Sequence, residues 1–193
     1  LFRSGLEILS FLKKKTTEFT KRCNIAWSPY GSPYENGCYR LMTALKKNFP
    51  DYKNEHDFVT NSFHRPVWEK LNIFEKLEAE SEFFMISSGG NVQNVEIPNM
   101  LGNIKGFTKI VQAAYDKAQY LIVNQPVDRC FECGFEGEFK VSVDDGLSCP
   151  KCGNNNPKTA SCARRVSGYI FDPLTHPANK GKTQEITQRC KHL

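Results

Sequence analysis

The chain has 193 residues, enough for one sizeable domain or one domain with a small appendage. Its 39% hydrophobic and 12% aromatic content suits a packed core and excludes a disordered chain, and no apolar run approaches the roughly 20 residues of a membrane span. The net charge of +5 lies at the two ends: residues 1–60 carry 10 Lys/Arg against 6 Asp/Glu and residues 160–193 carry 6 against 2, whereas residues 130–159 carry 3 against 5.

In chain order, residues 1–22 read as a helix with Leu6, Leu9 and Leu12 on one face, extended by Phe2 and Phe19. Asn24–Trp27 reads as a short strand before the loop Ser28-Pro29-Tyr30-Gly31-Ser32-Pro33. A helix is expected over 36–47, a strand over Phe58–Phe63 and a helix over Trp68–Glu80. The turn Ser87-Ser88-Gly89-Gly90 precedes a strand at Val92–Ile97. Ile104, Phe107, Val111, Ala114 and Ala118 give helical spacing, and Tyr120–Val123 follows as a strand. This alternation predicts an α/β layer or barrel. Pro126-Val127-Asp128 reads as a boundary, giving three units: 1–128, a cysteine-bounded unit at 129–157, and a tail at 158–193 with a helix over Thr183–Lys191 after a break at Gly181. No signal peptide is visible, and the chain opens Leu1-Phe2-Arg3 without an initiator Met, so it reads as part of a longer polypeptide or a processed product.

Four of the eight cysteines form two CxxC pairs, Cys130/Cys133 and Cys149/Cys152, separated by 15 residues. This is zinc-ribbon spacing: each turn aims two thiolates at one ion, and two turns complete a tetrahedron. Gly134 and Gly153 follow each pair and permit the tight turn that lets N–H groups face the sulfurs. Glu138–Val143 suits a hairpin strand, with Asp144-Asp145-Gly146 as its turn. The alternatives are free core cysteines or iron–sulfur ligation. Four protein thiolates leave no open position for a catalytic water, so the expected role is structural, with metal binding supplying folding energy. Metal ligands in a chain without a signal imply a reducing cytoplasm. A nucleic-acid-binding ribbon is a rival reading, but the acidic balance of 130–159 argues against it.

Arg165-Val166-Ser167-Gly168-Tyr169 is by composition an ordinary turn. As a motif it resembles the radical-bearing segment of glycyl radical enzymes. Together with CFECGFEGEF, CPKCG, NKGK, YGSPYENGCYR, VTNSFHRPV, SSGG and IPNMLGNIKG, it makes the whole chain resemble the C-terminal end of anaerobic, class III ribonucleoside-triphosphate reductases. Pyruvate formate-lyases share the glycine motif but lack the four-cysteine site. The resemblance implies part of a ten-stranded α/β barrel, a zinc ribbon, and a C-terminal loop carrying a radical on Gly168. A glycine suits a Cα radical because the centre flattens without a side chain to crowd it, and oxygen cleaves the chain there.

The implied reaction reduces ribonucleoside triphosphates to their 2′-deoxy forms, in many members with formate as reductant. A separate activating enzyme, with a 4Fe–4S cluster and S-adenosylmethionine, installs the radical. It passes to a cysteine whose thiyl takes the ribose 3′ hydrogen. The active-site cysteines of the family lie in a segment N-terminal to this chain, so a missing N-terminal part or subunit is expected, in a homodimer. Cys23, Cys38, Cys162 and Cys190 receive structural roles. Asn61 and Ser62, and Ser87, Ser88, Gly89 and Gly90, are candidate substrate-pocket residues whose hydroxyl and N–H groups suit phosphate or ribose oxygens, the alternative being ordinary turns. Glu35 is a candidate helix cap, and Arg164 and Arg165 either pair with acids near the radical loop or form a solvated pair. His56 reads as part of a solvated loop, and His64, His176 and His192 as bystanders.

Overall fold

The structure, a computed structural model, describes residues 2–34, 37–100, 102–142, 146–165, 170–171 and 178–192. Helix α1 (Phe2–Cys23) leads to α2 (Gly37–Asn48) and α3 (Ile73–Ile86). Strand β1 (Val92–Glu96), helix α4 (Ile104–Tyr115) and strand β2 (Tyr120–Asn124) follow. The two strands pair in parallel from Val92↔Tyr120 to Glu96↔Asn124. Their connection is α4, because a parallel pair needs a crossover rather than a hairpin.

Side chains alternate across β1. Val95 and Ile97 pack with Ile73 and Leu77 of α3 and Ile110 and Ala114 of α4 to make the main apolar core. The next residues in register, Asn94 and Glu96, face a cavity on the other side. One strand thus separates an apolar core from a polar hollow.

The second half is built from very short strands: β3 (Asp128–Cys130), β4 (Glu136–Gly137), β5 (Lys140–Ser142), β6 (Gly146–Ser148) and β7 (Ala160–Ser161). They form a β4-β3-β7 sheet and a β5-β6 hairpin. Gly146 pairs with Ser142 inside the hairpin instead of occupying its turn, and Val143, Asp144 and Asp145 lie outside the described residues. The core here is small: Phe139, Leu147 and Ala160 with the thiols of Cys130, Cys149 and Cys162. Strands β8 (Arg164–Arg165) and β9 (Ile170–Phe171) pair in antiparallel fashion, and α5 (Lys180–Gln188) ends the described elements.

Several expected elements are corrected. Asn24–Trp27 is not a strand: Asn24 has φ +53°, and Trp27 N–H donates to Thr20 Oγ1 at 2.9 Å, folding the segment back on α1. Phe58–Phe63 is likewise not a strand, because Ser62 at φ +51° breaks the extended path. The helix expected from Trp68 starts at Ile73. There Asn72 accepts from Phe74 and Glu75 N–H, and Glu75 accepts in return from Asn72 N–H, a complete capping box. Helix α4 stops at Tyr115, where its last turn tightens through Lys117 N–H to Ala114 O.

The final helix begins at Lys180, three residues early, capped by Asn179, and Gly181 lies inside it. The glycine is there for close approach: a Cβ would sit 2.7 Å from Tyr39 and 2.8 Å from the Asp57 carbonyl. Among the described residues of α1 Leu9 is buried, while Leu12 and Phe19 stay exposed, and the helix packs chiefly against α3. Among the described residues no helix is long and apolar enough to cross a membrane.

Candidate functional site

The two CxxC turns have matching geometry. Gly134 N–H donates to Cys130 O and Gly153 N–H to Cys149 O, with both glycines in the left-handed region at φ +69° and +76°. The turn lets the Cys130 sulfur take N–H groups from Glu132 and Cys133, and the Cys149 sulfur take those from Lys151 and Cys152. Asn154 Nδ2 adds a donor to Cys130 Sγ at 3.4 Å and also bonds the Thr159 carbonyl, so one side chain ties the centre to the segment beyond it.

The sulfurs fit a metal ion. Cys130 and Cys152 Sγ are 3.7 Å apart, Cys133 and Cys149 Sγ are 3.6 Å apart, and all four lie within 4.8 Å of one another. Zinc–sulfur bonds of ~2.3 Å in a tetrahedron require about 3.8 Å between sulfurs. The Asn154 donor, aided by backbone N–H groups against the effect of burial, pulls the Cys130 thiol down to about 6. At Cys152 the Asn154 backbone bond favours the thiolate, but burial and the three neighbouring thiols prevail and push it up to about 12. Four thiols this close do not all ionise without a cation between them.

A cavity of about 60 Å³ lies on the polar side of β1. Whole small-molecule sites run to roughly 300–1,000 Å³, so this cavity does not by itself enclose a nucleotide. Thr60 and Asn61 line it, as do His64, Asn94, Arg165 and Arg189. Asn61 Oδ1 accepts from Tyr34 N–H at 2.6 Å. Ser62 and Ser87–Gly90 are outside the lining. Ser87–Gly90 instead interlock with the 28–31 loop: Gly31 N–H donates to Gly90 O and Gly89 N–H to Pro29 O, while Lys13 donates to Ser88 Oγ. Gly168 lies outside the described residues, as do Glu35 and His176, but Arg165, three positions before Gly168, is a wall of the cavity.

Two buried charge clusters border this hollow. Glu80, 0% exposed, accepts from Lys76 at 2.7 Å on both oxygens, from His64 Nδ1 at 3.0 Å and from Arg65 N–H at 2.6 Å. Burial pushes its carboxyl up, but His64 and Lys76 outweigh burial and hold it at about 2. Glu96 and Glu185 share the Arg189 guanidinium at 3.2 and 2.8 Å.

His64 and His192 are therefore not bystanders. His64 belongs to the Glu80 cluster, and His56 stacks on Trp68 with ring centres 3.6 Å apart rather than lying in solvent. His192 is 8% exposed and its Nδ1 accepts from Glu96 N–H at 2.9 Å. Burial, reinforced by the Lys76 ammonium against the attraction of Glu80, pushes it down to about 4. Its folded pKa lies below its unfolded value of about 6.5, so the unfolded chain binds the proton first as pH falls. The stability His192 confers is whole above pH ~6.5 and drains away as pH falls to about 4, by roughly 3 kcal/mol. The buried Glu96 carboxyl is pushed up and gives an opposite slope, so the test is a difference. Between pH 7 and 4, urea denaturation is expected to show the parent losing its lead over His192→Asn; a constant difference refutes the assignment.

A polar signal for the cavity was available in the sequence. Parallel strands are commonly covered by apolar layers on both faces, yet Asn94 and Glu96 place polar groups on alternate positions of β1.

Comparison with known proteins decides the family. The family model described as anaerobic ribonucleoside-triphosphate reductase matches residues 2–192. The chain belongs to the anaerobic ribonucleoside-triphosphate reductase family. Curated reductases of that name are 36% identical in Haemophilus influenzae over 100% of this chain, 36% in Enterobacteria phage T4 over 97%, and 34% in Escherichia coli over 98%. The chain spans only 27%, 31% and 27% of their lengths. A solved anaerobic ribonucleotide reductase superposes with a TM-score of 0.69 over 95% of this chain and 28% of its own, at 15% identity. The Thermotoga maritima anaerobic ribonucleotide reductase with glycerol in its active site gives 0.63 over 93% and 26%, also at 15% identity. These two likenesses speak to fold alone.

Proposed function

We propose that this chain is the radical-bearing C-terminal part of an anaerobic ribonucleoside-triphosphate reductase, with Gly168 as the radical site and Zn²⁺ held by Cys130, Cys133, Cys149 and Cys152. The observation that carries the reading is a juxtaposition within a family member. The four-thiol centre is followed, after β7 and the buried Cys162, by β8, whose Arg165 opens the RVSGY motif and lines the polar cavity.

Zinc supplies no reaction step here; it clamps the ribbon. Lys191 pairs with Glu138 of the ribbon, and β7 pairs with β3, so the ribbon is tied on both sides of the 162–189 stretch. In the reaction, the activating enzyme uses S-adenosylmethionine and a 4Fe–4S cluster to remove one Cα hydrogen from Gly168. The radical passes to a cysteine in the N-terminal part of the protein, whose thiyl takes the 3′ hydrogen of the ribonucleoside triphosphate. Water leaves from C2′, and formate supplies the electrons. The parallel strands contribute to a ten-stranded barrel completed by the rest of a homodimeric, cytoplasmic enzyme. Of the candidate substrate residues Asn61, at the cavity wall, is the one placed to face substrate, while Ser62 and the Ser87, Ser88, Gly89, Gly90 turn lie outside that wall and shape the backbone beside it; neither a membrane nor a nucleic acid is a partner.

The test is anaerobic activation of the full reductase followed by air and mass spectrometry, with Gly168→Ala as control. Cleavage at Gly168 in the parent alone is expected. An intact parent, with the activating enzyme shown competent on another substrate protein, overturns the reading and leaves a zinc-ribbon binding module.

A further inference from the structure

Strands β8 and β9 pair through two rungs only, Arg164↔Phe171 and Arg165↔Ile170. A two-stranded ribbon of any length is marginal in water, and one of two rungs does not hold itself. Something outside it must fix the backbone at Arg165. The described contact that does so is Arg189, whose Nη1 donates to the Arg165 carbonyl at 3.0 Å.

Arg189 is well placed to hold this carbonyl still. The same Nη1 reaches Glu96 Oε1 at 3.2 Å at the end of β1, and Nη2 reaches Glu185 Oε1 at 2.8 Å, one turn back on α5. Glu185 is fixed in turn by Lys182. The backbone just after Arg189 is tied down too: Cys190 N–H donates to Val67 O at 2.8 Å and His192 N–H to Glu96 O at 2.8 Å. The Arg189 side chain is 13% exposed and that of Glu185 5%. A planar guanidinium held between the buried Glu185 and the largely buried Glu96 carboxylates is fixed in orientation, and its Nη1 also meets a main-chain oxygen.

We propose that Arg189 is a positioning residue for the radical segment: by holding the Arg165 carbonyl against the end of β1 and α5, it fixes where the chain enters the stretch containing Gly168. The proposal rests on the function proposed above. It requires no contact between Arg189 and the reacting atoms. Displacement by about 1 Å of a group that must meet a reaction partner costs on the order of 100-fold in rate, so a lost tether three residues from the radical carbon has a large readout.

The experiment uses the full reductase, activated anaerobically, with the glycyl radical counted by electron paramagnetic resonance per folded, zinc-loaded chain. Arg189→Gln and Arg189→Lys are compared with the parent. Lysine keeps a positive charge between the Glu96 and Glu185 carboxylates, so the fold persists, but a point ammonium does not reproduce the fork that also meets the carbonyl. Arg189→Gln is expected to lower the radical count at least tenfold and Arg189→Lys at least threefold, with zinc content unchanged in the lysine variant. Should the glutamine variant fail to fold, the lysine variant decides. A parental radical count per folded chain in Arg189→Lys overturns the proposal and leaves Arg189 a purely structural residue. A parent that carries no radical, with the activating enzyme competent elsewhere, overturns the underlying function and this proposal with it.

Discussion

Cys133→Ser is expected to empty the metal centre and unfold the ribbon while leaving the α/β half standing. The buried apolar side chains of the ribbon are Phe139, Leu147 and Ala160, with Phe135 and Val141 half-buried against them and buried thiols making up the rest of its core. Its strands are two or three residues long, too short to supply stability of their own. Metal ligation must close that gap: structural zinc contributes on the order of 10–16 kcal/mol of apparent binding energy in small zinc domains. The parent is expected to hold one zinc per chain by elemental analysis. The variant, with three thiolates left, is expected to lose at least nine-tenths of it at equal free zinc. Amide exchange should then accelerate over 128–162, while amides of α3, α4, β1 and β2 keep their protection, since their core shares no residue with the ribbon. Full zinc occupancy, or unchanged exchange in a zinc-free variant, refutes this. Because the ribbon precedes β8 with only Ala163 between, the proposed function adds that the radical yield falls along with the zinc.

What the sequence made legible follows from how local each signal is. The CxxC pairs, their glycines and the distance between them name a four-thiol centre because two tight turns carry all the geometry. The helices α1, α2 and α4 and the strands β1 and β2 were legible from periodicity. The start of α3 at Ile73, later than the expected Trp68, is a local signal too, because Asn72 and Glu75 spell a capping box. Gly181 was read as a break because a lone sequence cannot show that Tyr39, 142 positions earlier, packs against it.

The polar clusters were illegible for a different reason. Lys76 and Glu80, spaced i,i+4, look like a solvated helix pair. Their burial is set by His64 and Arg65 from an irregular segment whose path no periodicity describes. Arg189 and His192 meet Glu96 across more than ninety residues. A charge pattern along a helix carries no information about which loop will cover it.

Glu80→Gln is expected to be the most destabilising single substitution in the α/β half. The carboxylate is fully buried and satisfied by Lys76, His64 and the Arg65 N–H, so the cluster is neutralised where it stands. Glutamine keeps the shape but removes the charge and turns one acceptor into a donor. Lys76, itself buried, is then left as an ammonium without its counter-ion. Breaking a buried pair in this way costs roughly 3–5 kcal/mol, far more than a surface pair contributes. For a chain of this size that corresponds to a fall in melting temperature of about 6–20 °C. Replacing both partners, Lys76→Met with Glu80→Leu, is expected to recover a large part of the loss, because no charge remains to be stranded. Glu80 also fixes an acid limit. Its folded value of about 2 lies below its ordinary 4.5, so the stability it provides is present above pH ~4.5 and is lost as pH falls towards 2. Scanning calorimetry of the parent, the single and the double variant at neutral pH decides the matter. A single variant within ~1 kcal/mol of the parent, or a double variant worse than the single, shows that the cluster does not carry the charge balance assigned to it.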